Sequence, residues 1–260
     1  MAIATSSLVW VTLMNFNIGV DLNFIYFIFF ATITGYNFVK YFGLAKFYHR
    51  RLTNWLKLIQ LFSLLCFIAL IYYGLKLDYN TLLYLAGLGV ITFLYAIPLL
   101  PKKYFIDGRK NLRAIGGLKI YIIAFVWSVS TVIIPLINED YQIDFDVIIT
   151  TVQRYIYVLV VMIPFDVYDM NYDHLKLSTI PQRIGIKNAK LIGVFLVIGF
   201  FLLEYLKDEL WQKNINILLI ISVLVLLAVL FSKKSQGKYF SLFWVEAIPI
   251  VWVILAIANY

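Results

Sequence analysis

The chain has 260 residues, of which 63% are hydrophobic and 14% are charged, and its formal net charge is +8. Soluble globular domains are about 45–50% apolar and about 25% charged, so this composition excludes an ordinary soluble protein and indicates an integral membrane protein. The single cysteine, Cys66, excludes a disulfide framework within the chain.

Hydropathy and loop signals predict an all-α, polytopic membrane protein with nine transmembrane helices. A membrane-spanning helix needs about 20 mostly apolar residues. Short connections and the lack of a clear repeat indicate one transmembrane domain over residues 1–260. The first segment is the weakest, because it contains Asn15 and Asn17. The predicted segments are approximately 2–20, 22–44, 54–76, 80–100, 117–138, 147–168, 187–206, 214–232 and 239–259.

Basic residues are concentrated in alternate loops of this predicted topology. If the N-terminus is cytoplasmic, the cytoplasmic loops contain most of the 22 Lys and Arg residues, as the positive-inside rule requires. We therefore predict a protein of the bacterial inner membrane with a cytoplasmic N-terminus. Topology and contact with anionic membrane lipids explain the net charge, so it does not indicate a nucleic-acid partner.

Three carboxylates follow one another at the predicted cytoplasmic end of the sixth segment: Asp166, Asp169 and Asp173. Spacings of three and four residues place them on one face of a helix. Carboxylates about 6 Å apart repel by roughly 2–3 kcal/mol per pair at an effective dielectric near 20, so the three acids favour bound cations or protonation. Mg²⁺ prefers such oxygen ligands and often coordinates substrate phosphates together with carboxylates. We predict that these acids bind Mg²⁺ and a diphosphate; a solvated helix end or pairing with nearby Lys and Arg is the alternative.

The residues after the three acids extend this pattern into a motif. Lys176 is followed by Thr179, Pro181 and Gly185, and its ammonium group would meet a phosphate as a point charge. The combination D-x-x-D-x-x-x-D, Lys-x-x-Thr-x-Pro and a later Gly resembles the second aspartate motif of the UbiA superfamily of intramembrane prenyltransferases. The resemblance implies nine helices around a central cavity, with two aspartate-rich motifs at its cytoplasmic mouth. It also implies that Mg²⁺ and an isoprenyl diphosphate bind between the motifs, and that the isoprenyl group passes to a lipophilic acceptor.

The first motif of this sequence departs from the superfamily pattern N-x-x-x-D-x-x-x-D. Asn37 is present, but Tyr41 and Ala45 occupy the two aspartate positions. Lys40 lies on the same predicted helix face as Tyr41. Two interpretations remain open. In the first, Lys40 replaces part of the metal's charge and binds the diphosphate with Asn37 and Tyr41, while one Mg²⁺ stays on the second motif. In the second, this face has lost its ligand role and Lys40 extends to the interface.

The most basic loop of the chain precedes the fifth segment. By the resemblance, Arg109, Arg113 and Lys119 are candidates for diphosphate binding, although membrane anchoring explains most of these charges. Arg154 and Glu246 are ionisable residues inside predicted spans. Three interpretations of these two residues remain open: they line the cavity, they pair with each other, or they join helices structurally.

These features predict a membrane-embedded, Mg²⁺-assisted prenyltransferase. The alternative is a non-catalytic membrane protein that binds an isoprenoid or another lipid on a degenerate prenyltransferase frame. A small-solute transporter is less well supported, because the sequence lacks the paired Gly- and Pro-interrupted spans of such proteins.

Overall fold

A computed structural model of the chain describes residues 1–45, 54–96, 118–170, 179–237 and 239–259, and the regular secondary structure of these residues is helical throughout. The helices are α1 (Ala2–Asn15), α2 (Leu22–Ala45), α3 (Asn54–Gly74), α4 (Tyr79–Ala96), α5 (Leu118–Ser128), α6 (Ile134–Asn138), α7 (Phe145–Asp169), α8 (Ile180–Ile184), α9 (Ile186–Leu202), α10 (Gln212–Phe231) and α11 (Glu246–Asn259). Two π turns (Val129–Ile133 and Phe240–Val245) precede α6 and α11, and a 3-10 turn (Leu203–Leu206) follows α9.

The helices have the length and surface of membrane spans. Within the described ranges, six helical segments are long and apolar enough to cross a membrane, and three shorter apolar helices cover the first, fourth and ninth predicted segments. Each predicted segment therefore coincides with a helical segment. Large side chains such as Leu58, Phe62 and Leu65 of α3 are more than half exposed, an arrangement that suits lipid and not water. The prediction of an all-α polytopic membrane protein is confirmed, while the number of nine spans stays a prediction.

Most helices that follow one another in the chain also pack together. The helix α1 contacts α2 and α11, and α2 contacts α3 and α4. The contacts continue from α4 to α5 and α6, from α5 to α7, from α7 to α9 and α10, and from α10 back to α11. This order of contacts closes on itself, so that α7 is packed between helices on several sides.

Polar contacts join several helix connections at one end of the bundle, which we call the hairpin end. The side chain of Asn138 donates a hydrogen bond to Asp21 Oδ2 at 3.2 Å. The backbone N–H of Asp208 donates to Asp146 Oδ1 at 2.8 Å. Because these residues flank α1, α2, α6, α7 and α10, the helices turn back at the same level. The opposite end, where α2 and α7 finish, is called the acidic end.

A buried arginine joins α7 to α1 and to the junction of α5 and α6. Pro135 has no N–H, so the Thr131 carbonyl four residues earlier loses its helical donor, and a π turn forms there. The Thr12 hydroxyl donates to this carbonyl at 2.8 Å. The Arg154 guanidinium donates to the Leu8 carbonyl at 3.0 Å and to Thr12 Oγ1 at 3.2 Å. One side chain thus fixes three helical segments to one another.

Arg154 and Glu246, the two ionisable residues in predicted spans, do not pair with each other. The Arg154 guanidinium lies 5.2 Å from the ring centroid of Trp252 in α11, which adds a cation–π contact. Glu246 accepts a hydrogen bond from the amino group of Met1 at 2.5 Å. Each residue therefore joins helices, as the structural interpretation expected.

The closest approach of α9 to its neighbours supplies a stability test. A Cβ atom at Gly193 would lie 2.9 Å from Val229 Cγ1 of α10 and 3.0 Å from Ile163 Cδ1 of α7. We expect Gly193→Leu to destabilise the protein by about 1–3 kcal/mol, because overpacking forces these helices apart. Gly199→Leu on the same helix is the control, since a Cβ there meets nothing within 4 Å. Thermal unfolding in detergent measures both variants, and equal melting temperatures would contradict the close packing.

Candidate functional site

The last turn of α7 carries two of the three predicted metal ligands. The helix is continuous to Asp169, so Asp166 and Asp169 lie one turn apart on the same face. Asp166 is 2% exposed and Asp169 is partly buried. No basic residue occupies this turn, and each carboxylate near the negative end of the helix dipole costs about 0.3–1 kcal/mol. The local sequence thus favours an added cation at this position.

The donor set fits Mg²⁺. Carboxylate oxygens are hard ligands, and Mg²⁺ commonly binds one or two carboxylates while keeping waters and substrate phosphates as its other ligands. Asp173 lies outside the described residues, so its place on the same face stays a prediction. Among the residues that the structure does describe, no group of three or more His, Cys, Asp or Glu side chains comes together.

Two contacts from the segment after α10 fix the end of α7 that carries the acids. The Gln236 side chain donates to the Pro164 carbonyl at 3.0 Å and to Ser241 Oγ at 2.6 Å. Ser241 Oγ also donates to the Pro164 carbonyl at 3.3 Å. The amide oxygen of Gln236 accepts from the Lys233 N–H at 2.9 Å. Because Pro164 precedes Asp166 by two residues, these bonds orient the acidic turn.

The chain re-enters the described part at Thr179, whose N–H donates to Gln182 Oε1 at 3.0 Å. Pro181 lies in the first turn of α8, and Gly185 separates α8 from α9 with φ of +82°. This left-handed backbone suits glycine, because a Cβ would be strained there. Pro181 thus lies at the start of one short helix, and Gly185 directly precedes the next.

The end of α2 lies at the acidic end as well. The hydroxyls of Thr5 and Thr32 share a hydrogen bond of 2.9 Å, so the beginning of α1 lies beside the second half of α2. Met1 in turn contacts Glu246, directly after the π turn that binds α7. These contacts place the last turns of α2 and the last turn of α7 at the same end of the bundle.

Asn37, the retained residue of the first motif, has a structural contact. Its amide nitrogen donates to Ser63 Oγ of α3 at 2.7 Å, and Ser63 donates to the Ile59 carbonyl at 2.8 Å. The amide oxygen of Asn37 is chemically able to accept from a donor or to bind a cation. Lys40 and Tyr41 follow on the same face of α2, where the structure describes their backbone and not their side chains.

The remaining predicted binding residues lie at the start of a described range or outside the described ranges. Lys119 is the second residue of α5, whose N-terminus lies at the acidic end because α5 and α6 lead to the hairpin end. Its side chain is not described. Arg109, Arg113 and Lys176 lie outside the described residues, and their roles stay predictions.

Solved structures with the same fold were found in a comparison with this one. A digeranylgeranylglyceryl phosphate synthase has 17% sequence identity and a TM-score of 0.58 over 98% of this chain and 94% of that chain. A UbiA homologue from Archaeoglobus fulgidus has 12% identity and a TM-score of 0.55, covering 98% and 94%. The same homologue bound to GPP and Mg²⁺ matches with 13% identity and a TM-score of 0.55, covering 98% and 95%. No family model and no curated protein matches the sequence. The likeness confirms the UbiA fold that the second motif predicted.

The contacts at Pro164 generate a test of how the acidic turn is held. We expect Gln236→Met to lower the free energy of unfolding by about 1–3 kcal/mol, because it removes the amide that donates to the partly buried Pro164 carbonyl. Gln212→Met is the matched control, since Gln212 is exposed and its side chain donates to Asn216 of its own helix. Thermal unfolding in detergent compares the variants. An unchanged melting temperature for Gln236→Met would show that these bonds do not hold α7.

Proposed function

We propose that the protein is a membrane-embedded prenyltransferase, which moves an isoprenyl group from its diphosphate to a lipophilic acceptor. One observation carries the proposal: Asp166 is buried and Asp169 follows one turn later at the C-terminal end of α7, where carboxylates do not stabilise a helix. A fold shared with a UbiA homologue that binds GPP and Mg²⁺ supports this reading.

Three side chains of the second motif would hold the metal: Asp166, Asp169 and Asp173. Bound Mg²⁺ supplies charge neutralisation for the leaving diphosphate. The helix positions the first two carboxylates before substrate arrives, so little reorganisation is needed at the moment of reaction.

The cationic and polar residues near this end would bind the diphosphate oxygens. Asn37, Lys40 and Tyr41 occupy positions on one face of α2. Further charge would come from the basic connections at this end. The candidates there are Arg109, Arg113, Lys119 and Lys176.

The proposed reaction breaks the bond between C1 of the isoprenyl group and the diphosphate oxygen, and the electron pair leaves with the diphosphate. A nucleophilic atom of the acceptor then bonds to C1 and loses a proton. The apolar helices of the bundle would keep water from the allylic cation, which water otherwise captures. The isoprenyl chain would lie among these helices, with its diphosphate at the acidic end.

The charge distribution of the loops supports a location for this site. We propose that the protein lies in a bacterial inner membrane with its N-terminus and its acidic end at the cytoplasmic face. The diphosphate group of the substrate is anionic, so a site on the more basic side of the membrane suits its capture.

A single substitution tests the catalytic role of the second motif. We expect Asp169→Asn to reduce prenyl transfer by about 100-fold or more, the effect of losing one preorganised electrostatic group. Product formation in membranes is measured with radiolabelled isoprenyl diphosphates and candidate acceptors. Asp140→Asn is the control, because Asp140 is exposed at the hairpin end and has φ of +53°, which Asn adopts readily. Equal product from the Asp169 variant would remove the proposed role.

Ligand-dependent unfolding separates the catalytic proposal from its alternative. Mg²⁺ with an isoprenyl diphosphate should raise the melting temperature of the purified protein by several degrees, because both would bind only the folded state. Asn37 bonds Ser63 and the first motif lacks aspartates, which favours a non-catalytic isoprenoid-binding protein as the second candidate. A rise in melting temperature without turnover would support that candidate. No rise at millimolar levels of both ligands would contradict both functions.

A further inference from the structure

The segments around α9 and α10 carry charges of one sign only. Residues 179–203 and 210–237 contain six Lys and Arg residues and no Asp or Glu. Because α9 begins at the acidic end and α10 finishes there, five of the six cations lie at that end. They are Arg183, Lys187, Lys190, Lys233 and Lys234. Like charges repel one another, so this part of the surface favours an anion from outside these segments.

One of these cations, Lys190, is held in place at the junction of α9 and α10. Its ammonium group donates to the Leu230 carbonyl in the last turn of α10 at 2.7 Å. The hydroxyl of Ser232 donates to the preceding carbonyl, that of Val229, also at 2.7 Å. A lysine that only anchors a span extends freely into the interface. Lys190 is instead partly buried between two helices, with a bond that fixes its charge.

A second ammonium group belongs to the same junction. Lys233 follows Leu230 by three residues and is exposed, and its positive charge acts on that of Lys190. Within the described ranges, neither lysine forms an ion pair with a carboxylate. An ammonium group has three N–H donors, and Lys190 uses one of them for Leu230. The two lysines therefore offer an anion several donors and two positive charges.

Apolar side chains adjoin this pair of cations. Leu191 follows Lys190, Phe231 follows Leu230, and both side chains are more than half exposed. In a membrane protein such surface contacts acyl chains. The rings of Phe243 and Trp244, at the same end of the bundle, are also more than half exposed, and exposed aromatic residues at a helix end mark the membrane interface. The junction thus combines charge at the level of lipid headgroups with an apolar surface beside it.

We propose that the junction of Lys190 and Lys233 binds the phosphate of an anionic phospholipid, whose acyl chains lie along α9 and α10. Lysines meet phosphates as point charges, and basic pockets between transmembrane helices suit anionic headgroups. A zwitterionic lipid fits less well, because its headgroup brings a positive charge of its own. A free phosphate ion offers the same oxygens, but it has no chains to cover Leu191 and Phe231.

Thermal unfolding in detergent tests the lipid site without any isoprenyl diphosphate, so its outcome is independent of the proposed enzymatic function. Dioctanoylphosphatidylglycerol should raise the melting temperature of the wild type by about 3 °C, because a lipid bound to the folded state stabilises it. Dioctanoylphosphatidylcholine and inorganic phosphate at the same concentration should each give less than about half of that shift. A shift from either of them as large as that from phosphatidylglycerol would overturn the proposal, as would no shift at all.

Three substitutions locate the lipid on the protein. Lys190→Gln and Lys233→Gln should each lose about half or more of the phosphatidylglycerol shift, because each removes one of the two charges. Lys213→Gln is the matched control and should retain the shift, since Lys213 is an exposed cation at the hairpin end of α10. Lys233→Gln decides the matter if the Lys190 variant fails to fold, because the described bond of Lys233 is made by its backbone. A full shift in Lys233→Gln, or an equal loss in Lys213→Gln, would contradict the assigned site.

Discussion

Buried charge is the constraint on which this structure depends. Inside a bilayer, an ionised side chain must find its compensating groups within the protein, because lipid offers none. The helix α7 carries two buried ionisable side chains, Arg154 in its first half and Asp166 in its last turn, each 2% exposed. Arg154 satisfies the constraint by donating to α1 and to the α5–α6 junction and by lying over Trp252 of α11. The helix that carries the candidate site is thereby fixed to the rest of the bundle by a charge.

Backbone carbonyls in two of the spans accept hydrogen bonds from side chains of other segments. Pro135 frees the Thr131 carbonyl, and Thr12 of α1 donates to it. The Pro164 carbonyl accepts from Gln236, which holds the connection between α10 and α11 against the acidic turn. Side-chain donors of this kind are what allows irregular backbone inside a membrane. The break in helical hydrogen bonding at Pro135 therefore helps to position α1.

Local sequence patterns predict much of this fold. Apolar runs place the helices, and the spacing of Asp166 and Asp169 places both on one face of α7, because hydropathy and helical periodicity are properties of short segments. The contacts that hold α7 in place join residues that lie far apart in the sequence. Gln236 lies 72 residues from Pro164, and Arg154 lies 146 residues from Leu8. Such partners depend on how helices pack across the bundle, which no local pattern encodes. The bond from Asn37 to Ser63 was missed for the same reason.

The acids of α7 separate into two classes by their position along the helix. Asp144 caps the N-terminus by accepting a backbone N–H at 2.9 Å, and Asp146 in the first turn accepts the N–H of a neighbouring connection at 2.8 Å. Both face the positive end of the helix dipole, so both stabilise the helix. Asp166 and Asp169 occupy the other end, where the same dipole opposes them. Helix stability accounts for the first pair and not for the second, and this asymmetry is the physical reason for our proposal that the second pair binds a cation.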